Sequence, residues 1–103
     1  IESSLKEYIV DLAQATRQHK DLQMGISPRG TLALLMAAQA HAMIQGRGFV
    51  LPDDIKTMME PVWGHRLVLT PEGKMAGFDP SLILRGIAES VPVPVLKYAR
   101  VSG

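Results

Sequence analysis

Apolar positions in this chain recur first at Leu5, Tyr8, Ile9, Leu12 and Ala13, with Thr16 in phase behind them. Steps of three and four place all six on one stripe of an α-helix, which predicts a first helix with a single buried face. Ser4, with Glu7 three residues on, has the spacing of a capping box and is expected to open it. Arg17, His19 and Lys20 gather at its far end, where positive charge suits the helix dipole. From Asp21 to Ile26 the helical period lapses around a glycine, which predicts a connection.

A second helix is predicted from Pro28 to about Gln45. Leu32, Leu35, Met36 and Met43 mark one stripe of it, and Leu34, Ala37, Ala38, His41 and Ile44 mark another. A helix apolar on two sides is expected to lie between neighbours. Its small residues (Ala33, Ala37, Ala38, Ala40, Ala42) would let those neighbours come close. Gly46 is placed to cap its C-terminus. Pro52-Asp53-Asp54 then starts a third helix, because proline in the first turn with acids behind it is a strong N-terminal signal. Ile55, Met58, Met59, Val62 and Trp63 form its inner face, and Pro61 is expected to kink it or end its first part. Leu67-Val68-Leu69, a Thr70-Pro71-Glu72-Gly73 turn and Lys74 to Phe78 fit a short β-hairpin. Asp79-Pro80 opens a fourth helix carrying Leu82, Ile83, Ile87 and Val91.

The expected fold class is all-α, a small bundle of about four helices, with the short β-hairpin left open as an addition. Residues 1–91 form the domain. Residues 92–103 begin Pro92-Val93-Pro94 and read as a tail, either extended or disordered or a strand that pairs elsewhere.

A chain of 103 residues suits one domain. Aromatics are scarce at 5%, so the core must be aliphatic and methionine-rich, with Met24, Met36, Met43, Met58, Met59 and Met75 expected mostly on inner faces. The net charge of +1 demands neither nucleic acid nor an anionic membrane. Without cysteine there are no disulfides or thiolate metal sites, and no apolar run is long enough to suggest a membrane span. The chain starts at Ile1 rather than Met, on the approach to a helix, and is expected to be a piece of a longer protein.

Gly25-Ile26-Ser27-Pro28-Arg29-Gly30 sets an arginine against the local electrostatics. Ser27 can cap the free N–H groups of the second helix, and Pro28 at its first position has no N–H to lose. Arg29 then falls in the first turn, where the dipole is positive and an exposed cation costs about 0.3–1 kcal/mol. A phosphate there would take charge from the guanidinium and hydrogen bonds from the helix N-terminus. On charge alone, a solvated surface arginine is the simpler reading.

Other chemistries find little support. The one Gly-Lys pair, Gly73-Lys74, has Val68 where a phosphate-binding P-loop needs glycine and Met75 where it needs Ser or Thr. The three histidines are far apart, with no ligand one turn on. His41, on an apolar stripe, reads as a structural histidine, and His65-Arg66 as capping at the end of the third helix. Asp53 and Asp54 read as helix caps rather than metal ligands, and Ser27 has no evident base partner.

Tyr8-Ile9-Val10-Asp11-Leu12 through Thr16-Arg17, then Gly25 to Gly30, resemble the C-terminal lid of MoxR-type AAA+ ATPases. The likeness continues through the Ala/Leu-rich helix, Gly46-Arg47-Gly48-Phe49-Val50, Pro52-Asp53-Asp54-Ile55 and His65-Arg66. It is close from Leu5 to Leu67 and looser to Pro94. The resemblance implies a helical subdomain beside a nucleotide-binding core, with Arg29 as the sensor-2 arginine that approaches the ATP γ-phosphate. Gly25, Ser27 and Pro28 would fix the loop and helix start that aim it. Two departures stand out. Leu51 occupies the place of a Ser/Thr cap, and Gly30 replaces an alanine, which loosens the first turn by up to about 1 kcal/mol.

The P-loop, Walker B acids and sensor 1 are absent, so the fragment alone is expected neither to hydrolyse ATP nor to need a cofactor. ATP and Mg2+ belong to the full-length parent. The partners implied are the AAA+ core domain of the same chain, a homo-oligomeric ring and a von Willebrand factor A-type protein, in a cytoplasmic and chaperone-like setting. The alternative is a small helical DNA-binding or protein-interaction module. Against DNA, Arg17, Lys20, Arg29, Arg47, Arg66, Lys74, Arg85, Lys97 and Arg100 are scattered and give no helix a basic face.

Overall fold

Helix α1 (Ser3–Arg17) buries the predicted stripe in full, with Leu5, Tyr8, Ile9, Leu12, Ala13 and Thr16 all inside. The computed structural model to which it belongs describes residues 2–94. After α1 come β1 (Leu22–Met24), α2 (Pro28–Ile44), α3 (Pro52–Trp63), β2 (Val68–Leu69), α4 (Pro71–Met75) and α5 (Pro80–Ser90). The fold is the expected helical bundle with a small antiparallel sheet. The expected Ser4–Glu7 capping box does not form. The cap falls two residues earlier, on Glu2, whose carbonyl accepts from the Leu5 and Lys6 N–H groups, and the Ser4 hydroxyl turns inward without a partner among the described residues.

Helix α2 packs chiefly against α3. Leu34, Ala38 and Ala42, one turn apart each, are buried against a layer that includes Ile55, Met59 and Trp63. The two alanines admit α3 closely, and each large side chain buried there contributes about 1.5–3 kcal/mol. The rest of α2 is covered only in part, with Leu35 half-buried against the core. Leu32, Met36 and Met43 of one predicted stripe, and Ile44 of the other, are 54–81% exposed, so neither stripe is buried along its whole length. Helix α1 also touches α2, though α3 takes much the larger share of its surface. The methionines follow suit: Met59 alone is buried and Met58 half-buried, while Met24, Met36, Met43 and Met75 are exposed.

Pro61 does not divide α3, which runs through it to Trp63 and stops at Gly64. Gly46 ends α2 with a positive φ of 80°, a conformation that favours glycine. The sheet has partners other than those expected. Val68–Leu69 pairs antiparallel with Leu22–Met24, inside the segment expected to be a plain connection. Lys74 to Phe78 is not a strand. Thr70 instead caps α4, its hydroxyl accepting from the Gly73 N–H at 3.0 Å. The Asp79 carboxylate accepts from the Leu82 N–H at 2.8 Å and opens α5, which packs Ile83, Leu84 and Ile87 against α1 and α3. Leu82 points outward, 52% exposed. Pro92 to Pro94 form neither helix nor strand, and the rest of the predicted tail lies outside the described residues.

Candidate functional site

The segment carrying Arg29 is tied down on both sides of it. Gly25 rests on the end of α1 so closely that a Cβ would stand 2.7 Å from the Arg17 backbone, which no other residue could tolerate without the helix and loop parting. Ile26 is buried. Its N–H donates to the Thr16 hydroxyl at 2.9 Å, and its carbonyl accepts from the Arg17 Nε at 2.6 Å. The Thr16 hydroxyl is occupied twice, since it also donates to the Ala13 carbonyl. Ser27 caps α2 as predicted, accepting from the Gly30 N–H at 3.2 Å, and Pro28 takes the first helical position. On the far side of Arg29, the Gly30 carbonyl accepts the Trp63 indole N–H at 2.8 Å, a buried bond from the end of α3.

Between these anchors Arg29 is exposed, and it makes no hydrogen bond or ion pair with any described residue. The first turn of α2 holds no acidic residue to offset it. A cation therefore adds to the positive end of a helix dipole, on a backbone that cannot easily move away. An anion placed there would be attracted by both, and phosphate geometry suits a guanidinium fork.

Gly30 has a packing role that its weak helix propensity hides. It is buried, and a Cβ would fall 2.9 Å from the Ile26 Cγ2. The glycine thus lets α2 begin directly over the anchored Ile26 side chain. Arg66 comes to the same place from α3: its Nε donates to the Val62 carbonyl at 3.1 Å, and its Cδ would lie 3.6 Å from a Gly30 Cβ. The predicted capping of the α3 end is thus made by Arg66. His65 beside it is exposed and has no hydrogen-bond partner among the described residues.

A second polar constellation lies at the opposite end of α2. Asp54 is completely buried, and Arg47 grips it with both terminal nitrogens at 2.7 and 2.8 Å. The Leu51 N–H donates to it at 2.7 Å, and the His41 Nδ1 lies 2.6 Å away. The Arg47 hydrogen bonds hold the Asp54 carboxyl well below the usual carboxylate range, outweighing the opposing effect of burial, with Leu51 and His41 adding to the shift. Asp54 is a helix cap, as its place behind Pro52 predicts. Its carboxylate accepts from the Leu51 N–H, the N3 half of a capping box, while Leu51 has no side-chain acceptor to return the bond and the Asp54 N–H goes to the Leu51 carbonyl instead. The ion pair was missed. The available signal was His41 on an apolar stripe, where an imidazole needs a polar partner. Asp53 is exposed, and among the described residues no group of three His, Asp or Glu could hold a metal ion. No helix among them is long and apolar enough to cross a membrane.

Residues 14–85 match the family model of the AAA lid domain. The chain is 46% identical over 98 residues to the uncharacterised protein YeaC of Bacillus subtilis, covering 95% of this chain and 31% of that protein. It is 30% identical to the chaperone MoxR1 of Mycobacterium tuberculosis, over 91% of this chain and 27% of the relative. Protein MoxR of Paracoccus denitrificans is 34% identical, over 88% and 31%. A crystal structure of a candidate ATPase from Cytophaga hutchinsonii superposes with a TM-score of 0.85 at 29% identity, over 91% of this chain and 31% of that one. The chain therefore spans less than a third of the length of each of these relatives. With a tethered arginine loop, a two-stranded sheet closing the bundle and a family match over most of its length, the chain belongs to the AAA lid domain family, as a lid of the MoxR type.

Proposed function

We propose that this lid couples nucleotide state to movement in a MoxR-type AAA+ ATPase, with Arg29 as its phosphate sensor. The observation that carries this reading is Arg29 itself: an exposed cation in the first turn of α2, without a described partner, on a segment anchored to α1 and α3. Its guanidinium and the α2 N-terminus fit one end of a polyphosphate. The base, ribose and Mg2+ of ATP would be held by the core domain of the parent. Bound ATP supplies the transferable phosphoryl group, and Arg29 would stabilise the charge spreading over its oxygens. The anchors on Ile26 and Gly30 would pass a pull on Arg29 to the lid as a body. In the parent, that motion would act on neighbouring subunits of a ring and on a client, with a von Willebrand factor A-type protein as a candidate partner.

The test is ATP turnover by the full-length parent. Arg29→Ala should lower kcat by roughly ten-fold or more, and Arg29→Lys should fall between, because an ammonium keeps the charge but loses the fork. Thermal unfolding of the domain should be unchanged. Wild-type turnover in R29A rules the sensing role out.

A further inference from the structure

Trp63 stands where it can set the aim of Arg29 through the backbone of the next residue. It is fully buried at the end of α3, and its indole N–H crosses to the carbonyl of Gly30, the residue after Arg29. That carbonyl lies inside a helix, which supplies it with a backbone donor one turn on. The indole bond is thus not required to satisfy a stranded acceptor. Its effect is to fix the first turn of α2 in position and rotation relative to α3. The close packing of Gly30 over Ile26, and the Arg66 stem alongside, leave that turn little room to slide. On the other side, Thr16 and Arg17 hold Ile26 to α1. Of these tethers, the Trp63 bond alone is made by a side chain remote from solvent to the turn that bears the arginine.

We infer that Trp63 is a positioning residue for Arg29: its N–H locks the arginine-bearing turn to α3, so that the guanidinium meets a phosphate at one fixed angle. The inference rests on the sensing role proposed above. Misplacing a charge-stabilising group by about 1 Å can lower turnover by up to about a hundred-fold while substrate binding persists. The loss should therefore fall on kcat.

The experiment is a double-mutant cycle in the full-length ATPase, with steady-state kcat and KM for Mg-ATP measured in wild type, Trp63→Phe, Arg29→Ala and the pair. A second version replaces Trp63 with benzothienylalanine, which keeps the bicyclic shape and removes only the N–H. It carries the test if Trp63→Phe fails to fold. Both substitutions should lower kcat roughly ten-fold with KM within about two-fold, and should cost less than about two-fold once Arg29 is already alanine. A wild-type kcat in the benzothienyl variant overturns the positioning role, as does a loss that persists undiminished in the R29A background. Both results leave the sensing role of Arg29 standing. Wild-type turnover in R29A overturns the sensing role and the positioning role together.

Discussion

Replacing Asp54 by Asn should destabilise the domain by about 3 kcal/mol, because it removes the charge from a buried pair and leaves Arg47 facing an amide. The figure sits at the low end of the usual range for such pairs, since Arg47 keeps 24% of its side chain in solvent. Urea unfolding at neutral pH measures it. The pH dependence has a definite sign. The folded carboxyl titrates below its unfolded value of about 4, so its contribution is complete above that pH and is lost as the pH falls further. The stability gap between wild type and D54N should narrow on acidification below about pH 4. Gly25 offers a second check. Gly25→Ala should cost about 1–3 kcal/mol in a thermal or urea melt, because the new methyl group meets backbone rather than a side chain that could turn aside. The two sites differ in how far the sequence exposes them. Ser27, Pro28 and Arg29 show their arrangement within three consecutive residues, because capping is local. The cluster of His41, Arg47 and Asp54 is built from the end of one helix, a loop and the start of the next, and no short motif encodes such a meeting.

The elements divide in the same way. Helix α1 was legible because all its buried residues keep one period and its hydroxyl at Thr16 belongs to the stripe. The two faces of α2 were not distinguishable, since both are apolar and only the packed structure shows which one α3 takes. Ala38→Leu should therefore cost about 1–3 kcal/mol by overpacking the α2–α3 contact, whereas Ala40→Leu on the exposed side should change stability by less than about 0.5 kcal/mol. Paired urea melts decide it. Strand β1 escaped because three residues show no alternation, and its partner lies more than forty residues away. At Thr70-Pro71-Glu72-Gly73 the same residues serve a turn or a helix start. The helix results, with Gly73 against the Asp21 backbone at 3.0 Å from a would-be Cβ. Close packing of that kind is a tertiary fact without a local signature.

Across the whole molecule, α2 is a strut fastened at both ends. Its N-terminal turn is held by Trp63 of α3, the residue just before its cap by Thr16 of α1, and its C-terminal turn by the buried carboxylate of Asp54. Between these fastenings one long side faces outward. The six methionines are distributed unevenly about this frame, from 2% exposed at Met59 to 60%, 74% and 89% at Met36, Met43 and Met75. Peroxide discriminates between such positions, because thioether oxidation follows access to solvent. Peptide mass spectrometry after brief treatment of the domain should find sulfoxide forming first at Met75 and Met43, then at Met36 and Met24, and last at Met59. Sulfoxides on α2 would leave the melting temperature nearly unchanged while turning a greasy flank polar, so oxidative damage would strip this surface of its stickiness long before it unfolded the domain.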